Sequence, residues 1–270
     1  MIGRKGDRVS LLRAVVVVSG VWLVTGGVAA PVAAPDALVS VWYRGTPAGV
    51  PRAADLEAFR NAGLRSITWP ASATVHLAEL RRLATVAGLE VLVRPAARPA
   101  PLPKGPAPDR FDLDVAAIAP GALSSTVWRT VAHGGRELSL DALTGPVKAD
   151  GTPHPWLAPA GMVAAEVSRY ATLIAALRAG PAIVFETPRP AALDVVLFDA
   201  GRSWAIVATN TSGVRVTAAL RLPKGTPPAE WMNLLTSRVV AMVAKSDGPR
   251  WTCNLAPWQA MVLVIDKRPH

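Results

Sequence analysis

The chain has 270 residues, 51% of them hydrophobic, and a formal net charge of +10. That is long enough for two domains and too apolar for a disordered protein. The basic residues are scattered, with no run of arginine and lysine interleaved with aromatics, which argues against a nucleic-acid binder. A lone Cys253 excludes an intramolecular disulfide and a cysteine-based zinc site.

Arg4, Lys5, Arg8 and Arg13 precede an apolar run from Ala14 to Val24, and small residues follow from Gly26 to Ala34. This is the pattern of an export signal over residues 1–30, cut after Ala29 or Ala30. The competing reading is an uncleaved anchor that keeps the protein near a membrane, although the run is short for a span of about 20 residues. The expected location is therefore secreted or periplasmic. The signal carries a net +3, which leaves about +7 on the remainder.

From Ala37 the pattern alternates strand and helix. Leu38–Tyr43 reads as a strand, Ala53–Ala62 as a helix, Leu64–Trp69 as a strand, Thr74–Ala87 as a helix and Leu89–Val93 as a strand. Helix, glycine, strand, twice over, is the βαβ rhythm with right-handed crossovers. Pro95–Pro108 interrupts it, since so much proline suits neither a helix nor a central strand. A strand is expected in Asp112–Ala119, a helix in Ala122–His133, stopped by Gly134-Gly135, and a strand around Leu138 and Leu140. The loop Leu143–Pro159 leads to one helix, whose stripe of Val163, Val167, Tyr170, Ile174 and Leu177 ends at Gly180-Pro181. About five strands before residue 180 fall short of the eight of a closed (β/α) barrel. The first half, 37–180, is thus either a shortened, partly open barrel or an open α/β sheet.

Residues 181–190, with Pro181, Pro188 and Pro190, read as a stiff linker. Beyond it, seven short strands with turns at Asp199–Gly201, Asn210–Gly213, Pro223–Gly225 and Ser246–Pro249 argue an antiparallel β-sandwich over 191–268. The fold class is α/β followed by all-β.

The run WRTVAHGGRELSLD, Trp128 to Asp141, and the loop with Asp150-Gly151 after it resemble the last barrel unit of β-galactosidase-like glycoside hydrolases. VSVWYRGTP and LRSITWP resemble the first units. WAIVATNTS, LRLPKG, EWMNLLTSRVVAM and DGPRWTCNLAPWQAMVLVID resemble the all-β domain that follows such barrels. The resemblance spans most of residues 37–266. It implies an incomplete TIM-type (β/α) barrel with a C-terminal sandwich, a carbohydrate partner and O-glycosyl hydrolysis. The chain departs from the family where catalysis resides, because it has no Asn-Glu pair and its first three strands end in Arg44, Trp69 and Arg94.

Glycosidases need two carboxyl groups across the bond. Asp141, at a strand end on the expected site-bearing rim, is the candidate catalytic group, with an N-cap or loop-ordering role as its alternative. Asp112 and Asp114 are placed at the opening of their strand, on the opposite rim. Asp150 suits a turn, Glu166 a helix face and Glu186 a salt bridge near the junction. Trp42, Tyr43, Trp69 and Trp156 could stack on a pyranose, with Arg94 beside them, or could fill the core. His76, His133, His154 and His270 compose no metal motif, and no cofactor is expected. Three functions follow: an exported glycan-binding relative of glycosidases, an active glycosidase using Asp141 and a second carboxylate, or a structural envelope protein.

Overall fold

The computed structural model describes residues 39–45, 49–95, 110–115, 118–119, 121–141 and 145–267. The expected export signal and His270 lie outside the described residues, as do most of the Pro-rich run and residues 142–144. The described residues belong to one compact unit.

Its first half is a parallel sheet of β1 (Val39–Trp42), β2 (Ser66–Pro70), β3 (Glu90–Arg94), β4 (Arg110–Asp114) and β5 (Glu137–Asp141), in the order β3-β2-β1-β5-β4. Read from the other edge, every helical connection steps to the next strand in one direction. Right-handed crossovers then place α1 (Ala53–Asn61), α2 (Leu77–Ala87) and α3 (Leu123–Ala132) on one face. Side-chain alternation matches. Val39, Val41, Tyr43, Ile67, Trp69, Leu113, Leu138 and Leu140 enter the core with Leu56, Phe59, Leu80, Val127 and Trp128 of the helices. The opposite face of the sheet is polar.

That face is strongly concave. Arg94 on the edge strand β3 donates from Nη2 to Glu137 Oε1 of β5 at 2.5 Å. The two strands lie three spacings apart, roughly 14 Å in a flat sheet. Only a sheet that curls over brings the two side chains together.

The expected single helix after the loop is two, α4 (Leu157–Arg169) and α5 (Ala171–Ala176), broken at Tyr170. The Tyr170 hydroxyl donates to Leu234 O at 2.6 Å, so a tertiary bond fixes the break. The helix ends at Leu177 rather than Gly180, where the backbone turns extended into β6 (Arg178–Ala179).

The expected linker is woven into the β half. Val184–Phe185 forms β7, and Glu186 N donates to Ala219 O at 2.9 Å. β8 (Leu193–Ala200), β9 (Ser203–Asn210), β10 (Val216–Arg221), β11 (Glu230–Asn233), β12 (Arg238–Ala241), β13 (Arg250–Leu255) and β14 (Ala260–Asp266) follow as read. They form a six-stranded sheet, β12-β11-β14-β9-β8-β6, and a three-stranded sheet, β13-β10-β7. Leu197, Ile206, Leu220, Trp231, Trp251 and Leu263 fill the space between them. Cys253 is buried there, and burial pushes its thiol up to about 12, so it is inert at neutral pH. The outer face of the larger sheet supplies Phe198, Ala205, Val207, Ala260 and Val262 to the α/β core. The halves therefore share one core.

Asn210 matches a glycosylation acceptor, but its amide is buried and donates to Val214 O and Ala256 O at 2.7 and 2.8 Å. It orders a turn. Glu186 joins Arg250, Arg221 and Asp247 in a network on the smaller sheet. The Arg250 and Arg221 guanidinium groups hold the Asp247 carboxyl down to about 2, from about 3.9 in an unfolded chain. A depressed folded value stabilises above the unfolded one and stops doing so as the carboxyl protonates. Stability should fall between about pH 4 and pH 2, and less so in Asp247→Asn, as read by denaturant melts across that range.

Candidate functional site

The site is the polar face of the parallel sheet and the tips of its strands. Register fixes which side chains meet. Ser40 lies opposite Ser139, and Ser139 opposite Asp112. One step toward the strand tips, Asp141 lies opposite Asp114, and Trp42 opposite Thr68. The hydroxyls of Ser40, Thr68 and Ser139 form a buried cluster, with Ser40 Oγ 2.7 Å from Thr68 Oγ1 and 3.1 Å from Ser139 Oγ. Such a cluster satisfies polar groups that have no water.

Asp141 ends β5 as expected, is 1% exposed, and accepts from Arg44 Nη2 at 2.5 Å. Arg44 lies at the tip of β1 with half its side chain in solvent. Asp114 overturns its expected place. It ends β4 rather than opening it, so it stands on the same rim as Asp141, side by side in register. Strand spacing puts their Cα atoms about 4.8 Å apart. The alternation Phe111-Asp112-Leu113-Asp114 carried this signal, but the proline run hid where the strand starts. Asp112 accepts from Trp42 Nε1 at 2.9 Å.

Tyr43 and Trp69 are corrected by side-chain parity. Tyr43 and Trp69 face the helices and are 1% exposed. Tyr43 packs edge-on against Phe59 and donates to Asp55 Oδ2 at 2.9 Å, and burial pushes its phenol up. Trp69 Nε1 donates to Ala73 O at 2.7 Å. Rings enclosed this way offer no surface to a sugar. Trp42 faces the polar side but is 5% exposed, so its indole serves Asp112 rather than solvent. Trp156 is half-buried against Phe59 and the main core. Arg94 is on the concave face, committed to Glu137.

The remaining candidates are structural. Asp150 accepts from Thr152 N and Oγ1, and these bonds hold its carboxyl below the usual range. Glu166 accepts from Trp128 Nε1 and Ser124 Oγ, tying α4 to α3. His133 of α3 pairs with Asp194 of β8. Among the described residues no group of three or more His, Cys, Asp or Glu side chains is placed to hold a metal. A groove of about 890 Å³ lies on the β half instead, against Lys224, Met232, Val239, Val264 and Ile265, and holds none of the strand-tip residues.

No family model matches this chain, and no curated protein matches it. Similar solved structures are glycoside hydrolases. An alpha-amylase from Anoxybacillus is 9% identical, with a TM-score of 0.40 over 82% of this chain and 47% of that one. A maltogenic alpha-amylase from Thermotoga neapolitana is 9% identical, with a TM-score of 0.41 over 78% and 53%. A family 30 subfamily 8 xylanase from Clostridium acetobutylicum is 9% identical, with a TM-score of 0.39 over 85% and 95%. This chain spans about half the length of the two amylases. Likenesses this distant decide nothing about activity.

Proposed function

We propose that this chain is an exported glycan-binding protein on an incomplete, β-galactosidase-like barrel scaffold. One observation carries the reading: Asp114 and Asp141 stand side by side on adjacent strand tips, beside a partly exposed Arg44. Sugar hydroxyls are donors and acceptors at once. A carboxylate beside a guanidinium answers both roles with charge-assisted hydrogen bonds. Asp141 is enclosed and bonded to Arg44, so it positions the guanidinium, and Arg44 and Asp114 are the groups that meet the sugar. The carbohydrate grip comes from polar strand tips rather than from stacked rings.

Hydrolysis is the second reading, and the register favours it. Neighbouring strands put the two Cα atoms about 4.8 Å apart, a backbone spacing from which the carboxyls can reach the ~5 Å separation of retaining glycosidases. One carboxylate would attack the anomeric carbon while the other protonates the departing oxygen, and water would then release the sugar. A glycan array and chromogenic aryl-glycosides, applied together, separate the two. Binding is expected without turnover, and Asp114→Asn should weaken it at least ~10-fold by removing a charge-assisted bond, while Asp141→Asn should weaken it by releasing Arg44, which the enclosed Asp141 holds in place. Turnover lost in Asp141→Asn would establish the second reading. A blank array together with no turnover of any aryl-glycoside would refute both.

A further inference from the structure

The loop behind β5 returns to the first turn of α1 through a closed circuit of contacts. Arg52 N donates to Tyr43 Oη at 2.8 Å, Tyr43 packs on Phe59, and Phe59 on Trp156 with centroids 6.3 Å apart. The Trp156 and His154 rings are 6.1 Å apart, and His154 N donates to Pro146 O at 2.7 Å. A Cβ on Gly145, the residue before Pro146, would lie 3.9 Å from Arg52 Nη2, which closes the ring. Two buried polar atoms in this circuit, His154 Nδ1 and Trp156 Nε1, have no hydrogen-bond partner. Buried polar groups left this way are rare and call for a partner such as a water, an ion or a ligand.

The chemistry of the circuit selects the partner. The indole nitrogen only donates, and imidazole Nδ1 donates in one tautomer and in the cation. Arg52 binds Asp55 with Nε and Nη2, but 46% of its side chain stays in solvent while Asp55 is enclosed. Arg44 on the neighbouring strand tip is 52% exposed above an equally enclosed Asp141. The cations thus face outward and their counter-charges inward. Asp150, the acid of the loop, stays ionised but is exposed and bonded to Thr152, with Lys148 beside it to offset its charge.

Resting on the glycan-binding reading, we infer that the loop 145–156 and the start of α1 receive an anionic oxygen, the carboxylate of an acidic sugar. Trp156 Nε1 and His154 Nδ1 donate to it, and Arg52 supplies the charge. The ligand class is a uronic-acid glycan rather than a neutral one.

The test titrates the full chain calorimetrically with trigalacturonate and with the neutral galactose trisaccharide of the same linkage. The acidic ligand should bind at least ~10-fold tighter, with a preference that shrinks as salt is added. Trp156→Phe keeps a ring and removes the N–H, and should bring the ratio of the two affinities close to one. His154→Phe should lower it in the same direction. Equal affinities in the parent, or a preference that survives both variants, would overturn the inference and leave the two atoms holding an ordered water only. That result leaves glycan binding standing. Failure of both ligands in the parent, with an array that is also blank, would remove the glycan reading and this inference together.

Discussion

Gly161→Ala should destabilise the protein by about 3 kcal/mol or more, at the upper end of the cost of overpacking. Inside a helix the same change normally stabilises by roughly 0.5–1 kcal/mol, because alanine loses less conformational freedom. Here a Cβ would fall 1.6 Å from Ala62 O and 2.6 Å from its carbonyl carbon. Both atoms are backbone at the C-terminal cap of α1, so no side chain can swing away. Gly161 is the point where α4 meets α1. Relief would require the helices to separate, which would disturb Leu157, Ala160 and Val163 against the shared core. At about 2–4 °C per kcal/mol for a chain of this size, the melting temperature should drop by roughly 10 °C. A Gly161→Ala protein as stable as its parent would show that α4 does not approach α1 this closely.

Asp194→Ala should cost about 2–4 kcal/mol, less than the 3–5 kcal/mol of a fully buried broken ion pair because one partner is half in solvent. Asp194 of β8 is 8% exposed and accepts from Arg129 Nε at 3.3 Å, from His133 Nε2 and from Arg189 Nη2 at 3.0 Å. Burial alone would raise its carboxyl. The hydrogen bonds and charges of His133 and Arg129 outweigh burial and hold it below the usual range. One carboxylate thus ties the C-terminal end of α3 to the β half through Arg129 and His133, with Arg189 as its third partner from the β half itself. Removing it leaves them facing one another. Asp194→Asn keeps the volume and should lose most of the same stability, whereas a loss in Asp194→Ala alone would assign the effect to packing. Chemical denaturation of both variants distinguishes these. Unfolding should remain a single transition, since the halves share one core.

Where side-chain period dominates, the fold was legible. The stripe of α1 and the alternation of β1, β5 and the later strands follow from which residues must leave water. Three features were not legible, each for a physical reason. The break at Tyr170 depends on a bond to Leu234, sixty-four residues away, which local pattern does not carry. The proline-rich 181–190 segment hides β7 because an edge strand tolerates prolines beside it. The start of β4 is masked by the prolines before it, and so Asp114 was placed on the wrong rim. Tyr43 and Trp69 were misplaced for a reason the sequence did contain. Val39, Val41 and Tyr43 share one parity, as do Ile67 and Trp69, so both rings belong with the apolar face. That Asp141 and Arg44 each stand at a strand tip was readable from position, but Arg44 was read only as a departure from the family's carboxylates. Their pairing was not readable, because it joins residues ninety-seven apart.

The most direct measurement is a crystal structure, or a map of amide shift changes in solution, of the protein saturated with the tightest glycan from the array. The sugar should lie across the tips of β1, β4 and β5, within hydrogen-bonding distance of Arg44 or Asp114. A glycan seated only on the β half, in the groove between Lys224 and Met232, would contradict the account.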